Sequence, residues 1–459
     1  MALVLACAGC VTYAPHPLNP GASLDAWDAR SLESSELKAF FATNRVEMPK
    51  AGQPWNLRQL TLVALAFQPA LAEARTQLLS ARAAEITAGE RPNPSVTITP
   101  GYDTQIPGNP SPWLVPLSFD LPLETDGKRG KRMAEARAQA EAARWSLAGT
   151  VWQVRSQVRT ALANLQDTRL MLSILDEETE DQSRLAALLE DQFKAGALSG
   201  YDLTQARINA ANTLLARLDA RGKADQALVE LSRTLGLPSK ALQTVPLDFS
   251  ELDQIPDDLN KGAIRRETLL NRADVRAALA SYAATEAALQ LEIANQYPDI
   301  HLGPGYAWNN GSAGDNEWSL GLTVSLPVFN HNEGPVAQAE ANRQTAAAHF
   351  LSVQANAEAD LDSALAGWRT ARLQIKAAHA MLAEARKLLD STRSQIQSGE
   401  SAPALAAEAA VGFATARQAD LNAIIQGQQA LGNLEDVIQN PLTPPSPATP
   451  TVPDGPNSL

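Results

Sequence analysis

The sequence predicts an α+β membrane protein, mostly α-helical, with four transmembrane β-strands per chain and an internal tandem duplication. Three observations predict it. The stretches PSVTITPGY (94–102) and PDIHLGPGY (298–306) repeat Pro, Pro, Gly and Tyr about 204 positions apart. Very long runs without internal proline follow them, over about 128–195 and 335–397. No later segment has the roughly 18 uninterrupted apolar residues of a transmembrane helix, so any crossing of a membrane must be made by strands.

The chain opens with MALVLACAGC (1–10), a short apolar run that reads as the remnant of a secretory signal. Ala8-Gly9-Cys10 resembles a bacterial lipobox, which makes Cys10 the expected lipidation site and Cys7 its rival. Both cysteines lie here, so neither a disulfide framework nor a cysteine zinc site is expected downstream. Residues 11–32 form an extended linker with three prolines. A first structural repeat follows over 33–235 and a second over 236–440. Residues 441–459 are Pro-rich and expected to be disordered.

Each repeat follows the same plan. A helix of roughly 25 residues, over 69–90 or 273–296, leads to a strand. In the first repeat the strands are expected at about 94–104 and 112–123, in the second at about 298–308 and 316–328. The long helix of 128–195 would reach roughly 100 Å at 1.5 Å per residue. It breaks at KAGALSGYD (194–202) and returns over 201–235, where Pro238 ends it. The second long helix breaks at SGESAP (398–403) and returns over 403–440. The lengths suggest one long rod antiparallel to two shorter helices stacked end to end.

The strand stretches alternate with period two, which gives each one apolar face. Val96, Ile98 and Tyr102 share a face, as do Val115, Leu117, Phe119 and Leu121. Tyr102, Trp113, Tyr306, Trp308 and Trp318 all flank the connecting loops, like an aromatic girdle at a lipid interface. The loops 103–112 and 309–317 would then be extracellular. DGKRGKR (126–132) would sit at the opposite interface, where Lys and Arg can snorkel. Four strands cannot close on themselves, and an open edge in lipid is prohibitive. Association is therefore expected: two copies would give eight strands, three would give twelve and room for a passage.

LPLETDGKRGKRMAEARA, AGALSGYDLTQARINAANTLL and LTVSLPVFNHNEGPVAQAEANR resemble the TolC-like outer-membrane efflux proteins, with WNLRQLTLVAL and GKRGKR nearest the heavy-metal branch. The likeness runs from about residue 56 to 438. It implies a homotrimer with a shared twelve-stranded barrel, continued by a helical tunnel through the periplasm. A helical belt of 33–68, 236–272 and the end of 403–440 would ring that tunnel. It implies a passive exit duct that serves a periplasmic adaptor and an inner-membrane RND-type pump. Heavy-metal cations or small toxic compounds would be its cargo, and the outer membrane its location. The family's periplasmic gate places acids just after the helix-hairpin turns, here Asp202 and Glu408, while Leu405 stands where another acid is common. Adaptor contacts would involve Gly196, Ser199, Gly200 and Gly399.

Other classes fit less well. A net charge of -13 argues against nucleic acid as a partner. Five scattered histidines, and no Gly-x-Ser-x-Gly elbow, phosphate loop or HExxH, argue against an enzyme and against a bound cofactor. FNHNEG (329–334) could hold a metal but reads as a strand-to-helix turn. A coiled-coil adhesive protein would explain the helices but not the girdled strands. An outer-membrane duct for type I protein secretion would look the same in sequence.

Overall fold

The computed structural model describes residues 13–50, 52–102, 104, 113–253, 265–266, 270–309, 316–400 and 402–442. Cys7, Cys10, most of the two loops and the Pro-rich tail lie outside the described residues. The chain forms two compact units, one of Met1–Gln68, Gln157–Glu251 and Ser391–Ala414, the other of Pro69–Ser156, Leu252–Asp390 and Thr415–Leu459.

The first unit begins with α1 (Pro20–Asp28), α2 (Ser35–Thr43) and α3 (Leu57–Phe67). Asn56 and Gln59 form a reciprocal capping box that starts α3. The unit takes in the C-terminal part of α5 (Lys128–Lys194) and all of α6 (Gly200–Leu235). α2 packs on α3 and α3 on α6, burying Leu37, Phe41, Leu60, Val63, Leu231 and Leu235. Phe41 meets Trp55 edge to face at 6.0 Å. Gly236 closes α6 with φ +71°, and a Cβ there would lie 3.0 Å from the Phe67 carbonyl oxygen. Only glycine fits that turn without strain.

The second unit contains α4 (Pro69–Gly89), the start of α5, α7 (Ala273–Ala294), most of α8 (Glu333–Gln397) and the end of α9 (Pro403–Ile438). α4 runs antiparallel to α5, since Gly89 lies against Met133 while Arg137 pairs with Glu85 at 2.7 Å. Its sheet is built of β1 (Ser95–Ile98), β2 (Gly101–Tyr102), β3 (Trp113–Leu123), β4 (Ile300–Asn309) and β5 (Asn316–Val324). Every pairing is antiparallel, in the order β1-β3-β4-β5 with β2 also on β3. The expected first strand is thus two pieces. Pro100 has no N–H to donate and interrupts it at the sheet edge. The expected fourth strand ends at Val324, short of Leu326-Pro327-Val328.

α7 begins where α9 ends. Gln439 Oε1 accepts from the Ala273 amide at 2.7 Å, and Arg272 Nη1 donates to the Val437 carbonyl at 3.4 Å. Arg272 is almost fully buried and grips Asp274 through Nε at 3.0 Å and Nη2 at 2.7 Å, with Asp360 of α8 at 3.7 Å. Burial alone would raise the Asp274 carboxyl, but these hydrogen bonds outweigh it and hold it below the usual carboxylate range. A depressed acid contributes stability above its unfolded pKa and loses it as pH falls through the folded one. Arg272→Met is therefore expected to cost about 2–3 kcal/mol at neutral pH, with the cost shrinking in acid. Denaturant unfolding at both pH values checks this, and an equal cost at both would reject the ion pair as its source.

Candidate functional site: a two-faced sheet and two hairpin tips

The register sorts the strands into two faces. Val96 lies opposite Phe119, Ile98 opposite Leu117, and Leu117 opposite Tyr306. Tyr306 lies opposite Trp318, Leu302 opposite Leu322 and Ile300 opposite Val324. One face therefore carries the large apolar side chains of all four strand segments. The other carries Ser95, Thr97, Ser118, Asp120, His301, Gly303, Gly305, Ser319, Gly321 and Thr323, which are small or polar, with Leu114 as the large apolar exception. The apolar face is open, with Ile98, Trp318, Leu320 and Leu322 all well exposed. That is the reverse of a water-soluble sheet, which buries its apolar face.

The five aromatics expected to form a girdle are on these strands. Tyr102 and Trp113 are directly opposite and stack edge to face at 5.1 Å. Tyr306 and Trp318 are also directly opposite, with their rings tilted at 47° and their centroids 4.7 Å apart. Trp308 lies opposite Val115 and Asn316. At the other end, much of the basic cluster is paired. Lys128 Nζ donates to Asp299 at 2.8 Å and to the Tyr297 carbonyl at 2.7 Å. Lys131 pairs with Asp126 at 2.6 Å, and Arg132 with Glu124. On the polar face His301 Nδ1 lies 3.0 Å from Asp120, bridging β4 and β3.

Both hairpin tips are in the first unit and share one device. Gly196 (φ +74°) and Gly399 (φ +79°) stand in the left-handed region just past α5 and α8. The following amides, of Ala197 and Glu400, reach back to the carbonyls of Gln192 and Gln395 at 2.9 and 2.8 Å. This is a Schellman close, which needs a residue that tolerates positive φ. Ser199 caps α6: its Oγ accepts from the Asp202 amide at 3.2 Å and donates to Asp202 Oδ2 at 2.6 Å. Asp202 thus has a local helix-capping role, as its position in the first turn favours. Gly200 opens α6 beside the Phe193 ring. Glu408 is exposed in the second turn of α9, and Leu405 is exposed nearby. Behind the first tip, Glu190 is held below the usual carboxylate range by hydrogen bonds from Arg207 and Lys194.

A family model, outer membrane efflux protein, matches residues 61–237 and 264–438. The chain belongs to the outer membrane efflux protein family. Membership assigns it to the outer membrane. It is 26% identical over 234 residues to the cobalt-zinc-cadmium resistance protein CzcC of Cupriavidus metallidurans, covering 51% of this chain and 55% of that one. It is 25% identical over 223 residues to the pyoverdine export outer membrane protein OpmQ of Pseudomonas aeruginosa, covering 46% and 44%. The matches thus span about half the length of these curated relatives. Among solved structures, VceC of Vibrio cholerae aligns with TM-score 0.69 at 18% identity, over 84% of this chain and 96% of that one. CusC aligns with TM-score 0.66 at 21% identity, over 83% and 91%. These likenesses show that the outer membrane efflux chain has an outer-membrane channel fold.

Two features of this efflux-family chain were not foreseen in its sequence. Asp167 is buried in α5, and its Oδ1 has no hydrogen-bond partner; burial pushes its carboxyl up to about 7. A cavity of about 290 Å³ among α5, α7 and α8 is lined by Glu135, Gln139, Glu292 and Asn342. Burial raises the Glu135 carboxyl, and the charge of Glu292 adds to the effect. Glu292 is itself engaged, accepting from Asn332 Nδ2 at 2.8 Å. Neither feature has a local motif, because each depends on which helices pack together.

Proposed function

We propose that the chain is one third of a homotrimeric exit duct: three copies close a twelve-stranded barrel in the outer membrane, and their helices continue it as a periplasmic tunnel. One observation carries the reading. Among the described residues, the sheet has an exposed apolar face, a mostly small or polar face and two unpaired edges, which in hydrocarbon demands closure around water. A tandem duplication is supported by matching starts: α4 and α7 begin at Pro69 and Ala273, and α5 and α8 at Lys128 and Glu333. The two family matches support it too. Residues 33–68, 236–272 and the end of 403–440 are the proposed belt. The duct would conduct passively from a periplasmic adaptor and an inner-membrane RND-type pump. The relative named for cobalt, zinc and cadmium resistance favours metal cations as cargo over other small toxic compounds. Cys10 is the proposed lipid anchor.

Asp202 and Glu408, gathered threefold at the tips, would form an acidic constriction. Gly196, Ser199, Gly200 and Gly399 would shape the surface the adaptor meets. Reconstitution in planar bilayers tests both levels. The wild type is expected to give a cation-preferring pore of low conductance, and Asp202→Ala with Glu408→Ala a higher one. No pore at all would reject the duct. A wild-type pore with unaltered conductance in the double variant would reject only the gate.

A further inference from the structure

From residue 92 to 127 and from 277 to 342 the chain has no lysine or arginine. These two stretches contain every strand. Among the described strand residues, His301 is therefore the one side chain able to carry positive charge. Its Nδ1 lies 3.0 and 3.1 Å from the two carboxylate oxygens of Asp120. The other charged groups near this end of the sheet are already matched. Asp299, just before β4, takes Lys128 at 2.8 Å, and Glu124, just past β3, takes Arg132. On β5, Thr323 lies opposite His301 and is neutral. Glu317 stands on the same face near the start of β5, roughly 20 Å from Thr323 at 3.3 Å per residue.

The Asp120–His301 pair breaks the symmetry of the repeat. The long helices start 205 positions apart, at Lys128 and Glu333. At that spacing Ser325 stands where Asp120 does. The strand repeat puts Thr97, 204 positions earlier, where His301 is. Both counterparts are neutral, so the charge was placed on β3 and β4 alone. The pair is open to water, with side chains 39% and 46% exposed on the polar face. His301 Nε2 makes no hydrogen bond among the described residues, so solvent protons reach the ring.

Resting on the three-copy duct proposed above, we infer that Asp120 sets the barrel's preference for cations and that His301 is its proton-dependent counter-charge. Histidine is the side chain that changes charge between about pH 5 and 8, while ordinary carboxylates stay ionised there. With His301 neutral, Asp120 leaves one negative charge per chain on the wall of the passage. Three copies place three such charges at one level, which draws cations in and repels anions. With His301 protonated the pair is neutral and the ring of charge disappears. The effect reaches over the screening length, about 30 Å at about 0.01 M salt and about 3 Å at about 1 M. It is therefore a low-salt property. It is also separate from the hairpin tips, since Asp202 and Glu408 belong to the other compact unit.

Reversal potentials in planar bilayers under a dilute salt gradient test this, in an Asp202→Ala, Glu408→Ala background that removes the proposed tip acids. The background is expected to prefer cations at about pH 8 and to lose most of that preference at about pH 5. His301→Gln, which cannot take the proton, is expected to keep the preference at both. His301→Lys, whose charge is fixed, is expected to show the weak preference at both, and it carries the test if glutamine prevents insertion. Asp120→Asn is expected to be weakly selective already at the higher pH. Pairing between β3 and β4 skips Asp120, passing from Ser118–Gly305 to Leu121–Leu302, so a purely structural pair would tie the strands there. A structural tie would leave ion preference unmoved by pH. No pH slope in the background, or an equal slope in His301→Gln, overturns the inference and leaves the duct standing. No pore in the wild type overturns the duct, and the inference with it.

Discussion

Leu322→Arg is expected to prevent stable insertion of the proposed trimer into lipid, while Thr323→Arg, one residue on, inserts normally. In the isolated chain both positions are exposed, so water does not distinguish them. The register does. Leu322 lies opposite Leu302 on the apolar face, and Thr323 lies opposite His301 on the polar one. An arginine facing hydrocarbon near the membrane's centre costs about 2–4 kcal/mol per chain, and a trimer incurs it three times. On the other face the guanidinium meets water and, across His301, the Asp120 carboxylate. Folding into liposomes, read as heat-modifiable trimer on a gel, checks the pair. Equal behaviour of the two variants would mean that the sheet's exposed face does not meet lipid.

Asp167→Asn is expected to stabilise the protein by about 1–3 kcal/mol at about pH 8 and to do little at about pH 4. Asp167 is buried with one carboxylate oxygen unpartnered, and burial raises its carboxyl to about 7. The sign follows from that direction. A group whose folded pKa is raised gives its full contribution below the unfolded value and loses it as pH rises through the folded one. The wild type should therefore weaken between about pH 4 and 7, and asparagine, which cannot ionise, should remove that slope. Unfolding at the two pH values, with the protein kept in one detergent, measures the difference. A gain equal at both would show that the change acts through packing and not through charge.

The alternation of Trp318, Leu320, Leu322 and Val324 with Ser319, Gly321 and Thr323 is visible along a few residues, because a strand's side chains repeat every two. The hairpin tips were visible for a similar reason. Gly196 and Gly399 interrupt long helical runs, and glycine alone takes positive φ without strain. Asp167 gave no such signal. α5 packs on different neighbours along its length, so no single apolar stripe marks which polar residue is enclosed.

By itself, then, the sequence determined the local periods, the helix breaks, the repeat spacing and the sidedness of each strand, since all are set within a few residues or by direct self-similarity. The tertiary structure alone decided that Asp120 meets His301, that Lys128 meets Asp299, and that Arg272 holds Asp274 and Asp360 at the junction of α7 and α9. It also decided where β5 stops. Most of these contacts join residues far apart in the chain, and the end of an edge strand depends on whether a neighbour donates to it. Pairing between strands and helices is a property of the packed chain, and no local pattern encodes it.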